Sequence, residues 1–342
     1  MHYPLAEGRI VLRTERDWEH DLEPIEITPD LSRFDFEVAS DQPYLNFKPC
    51  LRTAQGLLWS EGPNKLAILD RRAPYEVYPH FGSGTRGRVT EHLEIPSPTL
   101  SRPHRLRLYL PAGYEENTLK SYPVLYVHDG RNLFDAKEAF LGAEWQLDEN
   151  LDLLDSMNLI DQTIVVGVYA GPERESNYSQ PGYERYGRAL VTELKPEIDH
   201  RFRTLASARN TSVMGASLGG VLSFYLAWEW PNVFGQAACL SSTFGYRDDL
   251  LERVRSEPLE QRRNLRFYLD SGWPGDNYDV TLSMATTLVE RDFQLGCNVF
   301  YLAFPWAQHN EGAWAARCHL PLQLFAGKLQ RAGRGMRLPS AD

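Results

Sequence analysis

The chain is poor in the features that announce several common functions. It has only four cysteines in 342 residues, Cys50, Cys239, Cys297 and Cys318, and no two stand in a C-x-x-C spacing. That excludes a disulfide framework or a zinc ribbon, and the thiols read as reduced and mostly buried, as in a cytoplasmic protein. Basic charge is scarce: 36 Lys and Arg against 46 Asp and Glu give a formal net charge of -10. Nucleic acid and anionic membrane are therefore not expected as partners, because neutralising phosphates requires clustered cations. No apolar run approaches the length of a membrane span, and the first residues lack the charged and apolar regions of a secretory signal. No phosphate-cradling glycine loop or strand-linked dinucleotide fingerprint occurs, and no His, Asp or Glu cluster has zinc-like spacing. Neither a cofactor nor a metal is expected. There is no internal repeat.

What is present changes character along the chain. In residues 1–95 short runs such as 9–12, 33–38, 44–47, 57–59 and 66–69 are separated by polar or Pro/Gly-bearing turns. That rhythm predicts a small antiparallel sandwich. A glycine-rich stretch at 81–87 reads as a linker. Two alternating strands at 89–95 and 105–110 follow, and from Pro123 apolar strands alternate with helical patterns. Expected strands are 124–127, 163–168, 212–214, 236–241, 266–270 and 298–303. Expected helices are 141–154, 187–202, the one after Ser217, 281–293, and 313–329 broken at Pro321. Continuous apolar strands alternating with helices imply a largely parallel sheet. The expected division is 1–87 for the β domain, 88–332 for the α/β domain and 333–342 for a tail.

Chemistry concentrates in residues 211–220, Thr-Ser-Val-Met-Gly-Ala-Ser-Leu-Gly-Gly. The G-x-S-x-G centred on Ser217 is the nucleophile-elbow pattern, in which glycines allow a sharp strand-to-helix turn that holds the hydroxyl out. By itself the pattern is weak, matching a chain of this length by chance roughly one time in ten. Its setting strengthens it: a short apolar run precedes it and a long apolar stretch follows. In such a fold the acid and then the histidine follow the serine, each just past a strand. His309 is the only histidine in the last strand-to-helix loop, and residues 270–279 follow the preceding strand. Asp276 is the first candidate acid and Asp279 the second, with Asp270 read as structural. The oxyanion donors are expected to be the N–H of Leu218 and, from the loop after residue 127, that of Arg131. His128 reads as a satisfied structural histidine rather than a metal ligand.

Taken together, Tyr126-Val-His-Asp-Gly-Arg-Asn-Leu-Phe134, Arg174-Glu-Ser-Asn-Tyr178, Gly215-Ala-Ser-Leu-Gly-Gly220 and His309-Asn-Glu-Gly-Ala-Trp314 resemble the putative-esterase family of α/β-hydrolases, which holds esterase D, enterochelin esterase and feruloyl or acetylxylan esterases. The resemblance covers residues 89–329. It implies an α/β-hydrolase fold and a serine carboxylic ester hydrolase with Ser217, His309 and an acid in the 272–279 loop as triad. The region before residue 90 is similar to the immunoglobulin-like domain that precedes the catalytic domain of enterochelin esterases. Asp129 departs from the His-Gly-Gly or His-Gly-Ser of many members, which leaves the second oxyanion donor open. The expected partner is a small-molecule ester, with a homodimer as a further candidate association. For an anionic siderophore ester, Arg131, Arg174, Arg185 and Arg188 are the candidate cations. For an acyl or feruloyl sugar ester, Trp145, Tyr178, Tyr183, Trp273 and Trp306 are the candidate aromatics. Acyl transfer on the same fold and a non-catalytic binding module are the competing readings.

Overall fold

The apolar runs in the middle of the sheet become strands buried on both faces, because helices cover the sheet above and below, whereas the last run, Val299–Pro305, lies at the sheet edge and is largely half-buried or exposed. The computed structural model describes residues 1–68 and 74–328; Leu69, Leu329 and the expected tail at 333–342 lie outside the described residues. A nine-stranded sheet runs in the spatial order Val299–Pro305, Arg266–Trp273, Gln236–Leu240, Thr211–Ala216, Val124–His128, Ile164–Val168, His104–Leu110 and Arg88–Val89, with Leu93–Ile95 also pairing His104–Leu110. The first six of these are mutually parallel, and His104–Leu110 joins antiparallel. This is the α/β-hydrolase arrangement, and it delivers the loops after six parallel strands to one edge.

Two helices depart from the expected form. The pattern at 187–202 is a longer composite, Gly182–Ala189 and Lys195–Arg201 joined by a single wide π-turn at Leu190–Leu194. Pro196 accounts for it: with no N–H to return to Thr192, the ladder widens around the missing bond. The closing helix breaks before Pro321, at residues 316–318, giving Glu311–Ala315 and His319–Ala326. Pro321 sits in the first turn of the second helix, where its missing donor would have no partner anyway.

The chain divides into two compact units, one of Met1–Arg88, Pro111–Ser121 and Asp152–Gln162, the other of the remainder. In the first, a five-stranded antiparallel sheet (Asp17–Leu22, Arg9–Thr14, Tyr44–Thr53, Gly56–Trp59 and Lys65–Ile68) is accompanied by a two-stranded ribbon, Glu26–Ile27 with Phe34–Asp35. Ile10, Phe34, Leu51 and Phe81 form one of its apolar clusters. The segment 111–121 belongs to this unit through side chains that no local pattern links to it: Glu116 accepts from the N–H groups of Phe81 (2.6 Å) and Gly82 (3.0 Å), and Asn117 donates to the Pro79 carbonyl (2.8 Å). Among the described residues no helix is long and apolar enough to cross a membrane.

Candidate active site

Ser217 stands between the strand Thr211–Ala216 and the helix Leu218–Glu229 with φ 58° and ψ −125°, a conformation that costs a non-glycine residue energy and persists only when its surroundings enforce it. The flanking glycines explain how the turn closes. A Cβ at Gly215 would lie 2.5 Å from the Gly219 carbonyl, and one at Gly220 would lie 2.0 Å from Ser242 Oγ. The apolar helix beyond is buried from Leu218 to Trp228, which anchors the turn.

The two other residues come from loops after neighbouring strands. His309 lies four residues past Val299–Pro305 and Asp276 three past Arg266–Trp273. His309 Nε2 is 2.9 Å from Ser217 Oγ, and His309 Nδ1 is 2.6 Å from Asp276 Oδ1. Asp279 is exposed in the first turn of the Tyr278–Glu290 helix, so the geometry brings Asp276 and not Asp279 to the imidazole. Burial alone would push the Asp276 carboxyl up, but hydrogen bonds from His309, Ser241 and Gly272 outweigh it and hold the group below the usual carboxylate range. Asp270 is fully buried, accepts from Tyr268 OH (2.9 Å) and faces Arg317 Nε at 3.1 Å.

On the other side, Asp129 has φ 58° and turns the chain into the short helical turn Gly130–Asn132. Gly130 is required there, since a Cβ would meet the Gly167 carbonyl carbon at 2.5 Å. A Cβ on Gly219 would lie 3.3 Å from Asp129 Oδ2, so this turn abuts the elbow. The Leu218 N–H opens the elbow helix, where the first amides have no intrahelical acceptor, and Arg131 sits in the adjoining turn.

The profile of the family described as "Putative esterase" matches residues 97–327. The chain belongs to that family. The uncharacterized protein YjcH of Bacillus subtilis (strain 168) is 31% identical over 143 residues, 41% of this chain and 55% of that one. The chain spans little more than half the length of the first curated relatives it matches. Among solved structures, a ferulic acid esterase superposes with a TM-score of 0.61 at 16% identity, over 70% of this chain and 98% of that one. The enterobactin esterase FES from Shigella flexneri, determined in the presence of enterobactin, has a TM-score of 0.56 at 14% identity over 93% and 88%.

Within this esterase fold the other expected site residues separate into two groups. Trp273 and Trp306 are exposed, at 45% and 76%, with ring centroids 6.0 Å apart beside the His309 loop. Trp306 also lines a surface groove of about 530 Å³ with Phe304, Gln308, Asn310 and His319. Tyr178, expected as a binding residue, is a correction: it is 1% exposed, its ring packed against His128 and Tyr186, and it offers a ligand no face. Trp145 and Tyr183 are equally buried and leave the aromatic set for the same reason. His128 is structural, but neither ring nitrogen has a partner in the structure; burial, with the Arg174 charge nearby, pushes its pKa down to about 3 and keeps it neutral.

Arg174 is half-buried and its charge is met within the protein. Nε and Nη2 bind the two oxygens of Asp129 at 2.6 and 2.7 Å, with the guanidinium 5.1 Å from the Tyr178 ring centre. Such a bidentate pair fixes both partners. It therefore clamps the turn that carries Arg131 rather than presenting a free cation. Arg174→Ala is expected to lower kcat on order of ten- to a hundredfold, by loosening that turn, for neutral and anionic esters alike. Steady-state kinetics with one ester of each kind checks this, and a loss confined to the anionic ester would restore Arg174 as a binding residue.

Proposed function

We propose that this chain is a carboxylic ester hydrolase that works through Ser217, His309 and Asp276. The observation that carries the reading is the continuous row from Asp276 Oδ1 to His309 Nδ1 at 2.6 Å and from His309 Nε2 to Ser217 Oγ at 2.9 Å. His309 Nε2 takes the hydroxyl proton as Ser217 Oγ attacks the ester carbonyl, and Asp276 holds the tautomer and stabilises the imidazolium. The N–H groups of Leu218 and Arg131 receive the charge that develops on the carbonyl oxygen. Collapse breaks the bond to the alcohol, which leaves with the proton from His309. Water, deprotonated by His309, then attacks the acyl-enzyme, and the carboxylic acid departs as Ser217 regains its proton.

The surroundings favour a substrate with an aromatic acyl group or a sugar over a polyanionic siderophore. Trp273 and Trp306 supply exposed faces of the kind that stack on rings, whereas Arg174 is neutralised by Asp129, Arg131 is exposed with its Nε held on the Glu138 carbonyl, and Arg185 and Arg188 are exposed on the Gly182–Ala189 helix. The four cysteines are all unpaired, which supports a reducing compartment such as the cytoplasm. A fluorophosphonate is expected to label the wild type and to leave Ser217→Ala unlabelled; labelling of the variant would overturn the assignment. For substrate class, a feruloyl or acetyl sugar ester is expected to turn over faster than a catecholate trilactone, and the reverse order would move the reading to siderophores.

A further inference from the structure

Ser241 follows the Gln236–Leu240 strand, is fully buried, and has φ 43°, a left-handed conformation unusual for a residue with a side chain. Its backbone is fixed on both sides, with the N–H donating to the Asp270 carbonyl (2.8 Å) and the carbonyl accepting from Asn277 Nδ2 (2.7 Å). The hydroxyl meets three groups: Asp276 Oδ2 at 2.6 Å, Trp314 Nε1 at 3.0 Å and Arg317 Nη2 at 2.5 Å.

The direction of these bonds is forced. An indole N–H and a guanidinium have no acceptor, so both must donate to Ser241 Oγ. That occupies both lone pairs of the hydroxyl and leaves its single proton only one destination, Asp276 Oδ2. The same oxygen also accepts the Gly272 N–H at 2.8 Å. With two donors committed to Oδ2, a proton there would face both of them. The carboxylate is thus held as an anion with Oδ1 turned to His309. Behind this arrangement Arg317 is balanced by Asp270, and both are almost completely buried. The hub joins residues from three segments, 241, 270–276 and 314–317, that are distant in the chain.

We infer that Ser241 is a positioning residue for the reaction, acting through Asp276 by fixing which oxygen faces His309 and keeping it unprotonated. The inference rests on the hydrolase reading above. Ser241 is fully buried and reaches the reacting groups only through Asp276, so its removal is expected to act on turnover and not on ground-state binding.

The test is Ser241→Ala alone and in an Asp276→Ala background, with Ser217→Ala alongside, read as kcat and KM on a p-nitrophenyl ester. Hydrogen bonds to charged groups contribute enough that Ser241→Ala is expected to lower kcat roughly ten- to a hundredfold, with KM nearly unchanged. In the Asp276→Ala background the same substitution is expected to have no further effect, because the group it acts through is gone. Unchanged kcat in the single variant, or an equal loss in both backgrounds, would overturn the inference. Should Ser241→Ala fold poorly by thermal melting, Ser241→Gly removes the hydroxyl while suiting the left-handed backbone, and it is read the same way. Activity surviving in Ser217→Ala would instead sink the hydrolase reading itself, which keeps the two failures distinct.

Discussion

Asp276→Asn is expected to lower kcat by about 10⁴-fold while leaving the protein folded, as for the loss of the correct histidine tautomer in other serine hydrolases. The reason lies in the far side of the carboxylate. Oδ2 accepts from Ser241 Oγ and from the Gly272 N–H, with Arg317 Nη2 at 3.5 Å. An asparagine must meet those donors with its carbonyl oxygen, so its NH₂ is turned to His309. A donor facing Nδ1 selects the imidazole tautomer whose proton is on Nε2, and that nitrogen then has no lone pair for the Ser217 proton. Near-isosteric replacement keeps the packing, so a melting curve close to wild type should accompany the loss of turnover. A kcat within tenfold of wild type would mean that Asp276 does not set the tautomer.

The parts of the site legible in the sequence are those whose position follows from chain order. The elbow has a spacing imposed by backbone contact between Gly215 and Gly219. His309 and the candidate acids follow strand ends, the only places from which side chains reach the carboxyl edge of a parallel sheet. Even so, chain order left Asp276 and Asp279 open, and only the distances separate them. Exposure was not legible. Trp145, Tyr178 and Tyr183 have the composition of a binding platform, yet packing buries them, while Trp273 and Trp306 of the same residue class remain outside. Arg174 looks like a free cation until Asp129, 45 residues earlier, is placed against it. Ser241 is the extreme case. Its partners Asp276, Trp314 and Arg317 lie 35, 73 and 76 residues away, and no local pattern marks a serine whose significance is in where two other donors point. The membership of 111–121 in the N-terminal unit is hidden in the same way, since Glu116 and Asn117 carry no signal of their distant backbone partners.

Arg317→Met is expected to destabilise the protein by about 3–5 kcal/mol at pH 8, because it leaves the buried Asp270 without its cation. The sign of the pH dependence follows from Asp270. Burial, opposed by Arg317 and by the hydrogen bonds from Tyr268 and Ser241, raises its pKa from an unfolded value of 3.8 to about 6. The native state thus binds the proton more tightly than the unfolded chain, so this group favours folding at acid pH and the contribution is lost as pH rises from about 4 through 6. Removing Arg317 takes away a charge that lowers the pKa, which moves the loss to higher pH and enlarges it at neutrality. The charged and titratable neighbours do not cancel this effect. Asp276 is held ionised by His309, Ser241 and Gly272, and the Tyr268 phenol, which donates to Asp270, titrates far above this range. Urea unfolding at pH 8 and pH 5 is therefore expected to show a large deficit for the variant at pH 8 and a smaller one at pH 5. Adding Asp270→Asn should recover part of the pH 8 deficit, since the uncompensated charge is then gone. An equal deficit at both pH values, with no recovery by Asp270→Asn, would mean that Arg317 stabilises the fold by packing against Phe304, over whose ring it lies at 5.3 Å, and not by balancing the buried carboxylate.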